Sequence, residues 1–299
     1  MADEKLGRTL ITSYDFKNPW VKLVYYLIFL AMLLIAVSTL FPLIWVYLGT
    51  MKTTQEIFAF PPTIFPKHWS LSNFIAGWNA LRFPHFFKNT FILAFGIWLS
   101  SMTVTILAAY SLAKLNPLFK KILLFLFLST LMVPMLSYMI PMYLVLKQFT
   151  FVNPEHGLLD SYWAFWLPAG ANAFNIYILK GFFAEVPESL LDAARIDGAG
   201  EMRILTTIIL PLSRPVIATL TIFTFTGVWN DFIWPYIILT TTDIQPIMVA
   251  LYKNVFSSDL FQWNVILAAM AITSLPPIIL FLFFQKQIIR GVNLVGIKG

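Results

Sequence analysis

The chain has 299 residues, 59% hydrophobic and 11% charged, with a formal net charge of +6. Soluble domains carry about 25% charged residues, so a soluble fold of this length could not cover its surface, and disordered chains are far poorer in apolar groups. The absence of Cys excludes disulfides, thiolate metal sites and Cys nucleophiles, and twenty Lys and Arg spread along an apolar chain point to membrane topology rather than a nucleic-acid face.

Residues 1–22 form a polar, charged tail. Six nearly uncharged stretches follow: Leu23 to Met51, Asn89 to Ala113, Ile122 to Leu146, Ser161 to Leu179, Pro215 to Thr242 and Leu260 to Gln285. Only Asp231 interrupts the fifth. About 20 helical residues cross the hydrocarbon layer. The runs are continuous rather than alternating, which argues against barrel strands. The expectation is an all-α integral membrane protein with six transmembrane helices over 23–285 and a tail over 286–299. The first run is far longer than a signal-peptide core and reads as an uncleaved span. Fourteen Lys and Arg fall on the side of the termini and five on the other, which predicts both termini in the cytoplasm. Seven prolines fall inside spans: Pro42, Pro134, Pro141, Pro168, Pro235, Pro276 and Pro277. Each is read first as packing geometry, with bent helices around a cavity as the alternative.

The loop between spans four and five, 184–213, carries the most information. Pro187 and Glu188 suit the start of a helix. Leu190, Leu191 and Ala194 share an apolar side at helical spacing. Gly198 and Gly200 can end it in a left-handed turn, and a second helical stretch runs from near Glu201 to before Pro211. Surface helices that meet lipid are usually basic, whereas this one has excess acid, which fits docking into a protein groove.

Asp192-Ala193-Ala194, Gly198, and Ile208-x-Leu210-Pro211 resemble the EAA loop of ABC-importer permeases, with Asp192 where that pattern has Glu. Trp229-Asn230-Asp231-Phe232-Ile233-Trp234-Pro235 resembles a segment of carbohydrate permeases of the maltose-permease MalG type. Asn89-Thr90, Ala109 to Ala113 and the tail Gly291 to Gly299 resemble the same group. The resemblance implies a type I importer permease fold in the bacterial or archaeal cell membrane. It also implies a second, MalF-like permease subunit, two ATPase subunits, a soluble solute-binding protein outside and a carbohydrate substrate. ATP and Mg would be bound by the ATPase partners, with no cofactor in this chain. By the matching positions Glu188, Asp192, Ala193, Ala194, Gly198 and Pro211 would belong to the coupling loop. Gly296, Lys298 and Gly299 would reach the ATPase dimer through the tail. The chain has no G-x-x-x-x-G-K-[ST] motif of its own.

Asp231 should face protein or water, since a mid-bilayer charge is costly. One reading puts Trp229, Asn230 and Asp231 on the solute path. The other, preferred here, is an interhelical polar clasp with Trp in the interfacial belt. Asn172 and Asn175 in span four are further path candidates, with packing the first expectation. His68, His85 and His156 show no metal spacing. The outer segment from Lys52 to Pro84, with Trp69 and Trp78, either meets the binding protein or caps the surface. An ion-coupled secondary transporter is the competing function. It would need more intramembrane ionisable groups than Asp231, and usually repeated halves. A membrane enzyme would need a catalytic constellation, which is absent.

Overall fold

The computed structural model describes residues 15–151, 153–257 and 262–295. These are helices and connections, with no strand among the described residues. Helix α1, Pro19–Gly49, starts inside the predicted tail. Asn18 Oδ1 accepts the Trp20 N–H at 3.0 Å and Pro19 opens the first turn, where its missing donor costs nothing. Most of α1 is exposed and meets the rest of the chain near its C-terminal end, where Tyr47 Oη donates to Ala271 O at 3.1 Å. A capped turn, Thr54–Ile57, and helix α2, Ser72–Ala80, follow. Helix α3, Phe83–Tyr110, widens into a π turn at Ser111–Leu115.

The third predicted span is two helices, α4 at Lys120–Thr130 and α5 at Met135–Lys147, bent by 103°. Pro134, expected to be packing geometry, is the extended residue that starts α5 (φ −60°, ψ 135°). Its missing N–H and its clash with the preceding turn end the first half. Pro42 and Pro141, in contrast, are accommodated within α1 and α5. The fourth span also divides, into α6 at Trp163–Ala169 and α7 at Ala173–Glu185.

Helix α8 covers Glu188–Ile196, and α9 runs over Glu201–Leu212. Contrary to expectation α9 continues through Pro211. An i→i+5 turn closed by Leu210 N–H to Leu205 O precedes the proline and shifts the hydrogen-bond register. Helix α10, Arg214–Asn230, turns by 80° from α9. The fifth span ends here, well before the predicted Thr242: Asp231 is extended (φ −70°, ψ 124°), and α11 follows at Ile233–Ile238. Helix α12 is Ile247–Phe256 and α13 is Trp263–Val295, which continues beyond the predicted end at Gln285.

By length and composition, three helices among the described residues, α1, α3 with its π turn, and α13, can each cross a membrane, and the number is up to five if each of the two bent pairs is one span. Helix α3 is the centre of the bundle, packed against α6, α7, α10 and α12. Helix α13 packs against α1, α2 and α10. One apolar cluster joins α3, α7, α8, α9 and α10 through Tyr110, Phe183, Leu191, Ile204 and Leu220. A second gathers Phe86, Trp229, Ala250 and Ile266 beneath α12 and α13, and a third lies around Leu93, Leu146 and Phe165.

Candidate coupling surface and solute path

Helix α8 stands on the first cluster by its inner face. Leu191 is fully buried and Ala194 packs beside it. Leu190, expected on that face, is instead exposed. The helix ends as a glycine allows: Gly198 has φ +80°, and the Ala199 N–H returns to Ala194 O at 2.9 Å. Gly200 takes no part in that turn. It is extended (φ −72°, ψ 161°) and starts α9. The outer face carries Asp192, Ala193 and Gly198, with Leu190 and Ile196 standing out and Ile196 86% exposed. Small residues beside an apolar knob and carboxylates suit a groove with a basic rim.

Arg195 organises the acids. It reaches Glu188 at 3.1 Å, Asp192 at 2.9 Å and Glu201 at 3.0 Å. Asp192 is thereby tied within its own helix. Glu201 accepts the Tyr110 hydroxyl, and Lys114 donates to Val186 O at 2.7 Å and to Glu188 at 3.1 Å. Lys114 and Arg195 hold the Glu188 carboxyl below its ordinary range, and Arg195 with Tyr110 does the same for Glu201. The three carboxylates in turn push the Arg195 guanidinium up, with the Glu201 hydrogen bond foremost. The loop is therefore bolted to the end of α3. Pro211 lies at the far end of α9, away from this face.

Asn172, Asn175 and Asp231 meet in one cavity of about 320 Å³, with Ser101, Thr224 and Gly227 also in its wall. The break in span four creates part of that wall. Asn172 Oδ1 accepts the Asn175 N–H at 2.9 Å and starts α7, while Asn175 Nδ2 donates to Ser101 Oγ at 3.3 Å. Trp229 and Asn230 go elsewhere. Trp229 is buried, packs against Phe225 and Phe87, and donates its indole N–H to Thr273 O at 3.1 Å. This bond ties α10 to α13 from a buried position, not from the interfacial belt. Asn230 donates to Thr226 O at 2.9 Å and lines a different cavity of about 300 Å³ against Leu43 and Met270. Gly296, Lys298 and Gly299 lie outside the described residues.

Residues 101–294 match the family of binding-protein-dependent transport system inner membrane components. The chain belongs to this family. The sn-glycerol-3-phosphate transport system permease protein UgpE of Escherichia coli O1:K1 / APEC is 29% identical over 282 residues, 92% of this chain and 96% of that protein. UgpE of Yersinia pestis bv. Antiqua (strain Antiqua) is 32% identical over 259 residues, 84% of this chain and 90% of that protein. A chain in the crystal structure of a bacterial ABC transporter involved in the import of the acidic polysaccharide alginate superposes with a TM-score of 0.79 at 21% identity. The match covers 90% of this chain and 98% of that one. A second alginate ABC transporter structure, in complex with an alginate pentasaccharide-bound periplasmic protein, gives 0.63 at 15% identity, covering 90% and 94%. The fold is that of an ABC-importer permease, and the chain is a multi-pass inner-membrane transport subunit.

The structure brings together residues that sequence reasoning did not pair. Arg195, Glu201, Tyr110 and Lys114 complete the network that holds α8. Arg195 lies three residues from Asp192 and seven from Glu188, a helical spacing that could have flagged it. Tyr110 and Lys114 are distant in sequence and carry no such signal. Asn89 and Thr90, noted only for resemblance, clamp the segment before α12. Asn89 Nδ2 donates to Asp243 O at 2.7 Å and Gln245 O at 3.0 Å, and Thr90 Oγ accepts the Ile247 N–H at 2.9 Å. From the other side Asp160 accepts the Thr240 and Thr241 N–H groups at 2.8 and 2.9 Å. Burial opposes its charge, and these bonds outweigh burial and keep its carboxyl low.

Proposed function

We propose that this chain forms half of the solute path of an ATP-driven importer for a carbohydrate-class solute delivered by a binding protein. The observation that carries the reading is α8: a short helix with its apolar side buried on the bundle and its acid-and-alanine side turned out. We assign that outer face, with Glu188, Asp192, Ala193 and Gly198, to a cleft on a separate ATPase subunit, while Ala194 packs on the bundle side. ATP and Mg belong to that partner, and this chain supplies no hydrolytic group. A second permease subunit completes the path, as the family's division of labour implies. We place both termini in the cytoplasm, which the Lys and Arg bias supports.

The relatives are named for glycerol phosphate and alginate, both anionic. The cavity wall here offers amide and hydroxyl groups beside the Asp231 carboxylate. A fixed carboxylate repels an anion and accepts from hydroxyls, so a polyhydroxyl, uncharged solute fits this point of the path.

The test is purification of the chain in mild detergent with its genomic neighbours, then ATPase assay with binding protein and candidate sugars. Expected is an ATPase that co-purifies and is released by a Gly198→Pro, Ile196→Asp double variant. Transport by the chain alone under an ion gradient, without ATP, would overturn the reading.

A further inference from the structure

The segment between α1 and α2 is built with its polar groups inward and its rings outward. Lys52 is buried and donates from Nζ to Thr63 O, with its ammonium 4.4 Å from the Trp45 ring centroid. Glu56 accepts the Thr53 N–H and the Lys67 N–H, both at 3.1 Å, so its carboxylate is used inside the loop. Asn73 Nδ2 donates back to Thr50 O at 2.7 Å. The loop is thus pinned at several points. Phe58, Phe60, Ile64, Phe65 and Trp69 nevertheless point away from the protein, Phe60 being 96% exposed.

Two further facts fix what these rings meet. The first is depth. The loop starts where α1 ends at Gly49, and Phe58 touches the Trp263 ring that opens α13, centroids 5.9 Å apart. Thr54 Oγ donates to Asn264 Oδ1 at 3.4 Å, holding the loop to the same level. It therefore sits at the end of two apolar spans, the height at which aromatic rings partition into the interfacial layer. The second is charge. Glu56 is the only acid between residues 52 and 84, while Lys67, His68 and Arg82 are exposed. Exposed bases without exposed acids suit anionic headgroups.

We propose that residues 58–69 form a rigid hook that inserts its rings into the outer leaflet of the bilayer, with Lys67 at the headgroups. The hook anchors the junction of α1 and α13 at a fixed depth. The partner is lipid, rather than the binding protein or the second permease.

The chain has no Cys, so Phe60→Cys, Phe65→Cys and Trp69→Cys each place one thiol in it for a nitroxide label, with Gln55→Cys as the exposed control. The labelled chain is assembled with Cys-free partner subunits in nanodiscs containing phosphatidylglycerol, with binding protein present. Expected at positions 60 and 65 is collision with oxygen at least several-fold more frequent than with an aqueous nickel chelate, relative to position 55. Free access to the chelate at both sites would place the hook in water and overturn the proposal. Labels immobilised and closed to both reagents would mean that a protein covers the rings, which also overturns it. Phe60 and Phe65 are tested independently, and a site that fails to assemble is replaced by Trp69.

Discussion

Arg195 is one side chain facing three carboxylates at 2.9 to 3.1 Å. Solvent screens exposed pairs of this kind, so Arg195→Ala should change the melting temperature of the chain little. Its effect should appear instead in the posture of α8, as reduced ATPase recovery in co-purification. Arg195→Lys should restore that recovery only in part, because a single ammonium cannot span the three acids. The network also sets a pH dependence. Glu188 and Glu201 are held below their ordinary range, so their contribution is full above about pH 4.3 and is lost as pH falls through the lowered values. Amide exchange at Leu191 and Ala199, corrected for intrinsic rate, should be equal at pH 7 and 5.5 and faster below about pH 4. Gly198, at φ +80°, is the turn residue no other side chain fits freely, and Gly198→Ala should cost about 1–2 kcal/mol locally. Exchange at the Ala199 amide reads that cost directly.

At the scale of elements, the helices depend on close approach at a few positions. A Cβ at Gly96 of α3 would lie 2.1 Å from the Trp166 ring of α6. Gly96→Ala should therefore push α6 away and destabilise the bundle by about 1–3 kcal/mol, measured as a lower melting temperature in detergent. Long apolar runs made the spans legible, because span length and continuity are one-dimensional properties. Their interruptions were not. Pro134 breaks its helix while Pro42 and Pro141 do not, and the three look alike in sequence. The break at Gly170 to Asn172 was likewise hidden. The loop helix was legible through Pro187 and Gly198, whose backbone preferences act locally. Leu190 was misplaced because the apolar stripe of a nine-residue helix does not say which edge is buried. Asn172, Asn175 and Asp231 were singled out as polar residues in apolar runs, but only the fold separates them from Trp229 and Asn230.

At the scale of the whole molecule, the cavity that unites Asn172, Asn175 and Asp231 predicts a split between binding-protein affinity and transport. Asp231→Asn should leave assembly intact and change uptake of a neutral sugar by a factor of a few. It should raise uptake of an anionic analogue from near zero, measured in proteoliposomes with saturating binding protein. Unchanged uptake of both solutes would place the path elsewhere. The cavity and the loop also share a helix. Tyr110, which donates to Glu201, and Ser101, in the cavity wall, both belong to α3, nine residues apart. At 1.5 Å per residue they are separated by about 13 Å along one axis. A helix of that length resists compression along its axis. On the coupling proposed for α8, a push at the Tyr110 end of α3 is therefore carried along a stiff rod to the cavity wall.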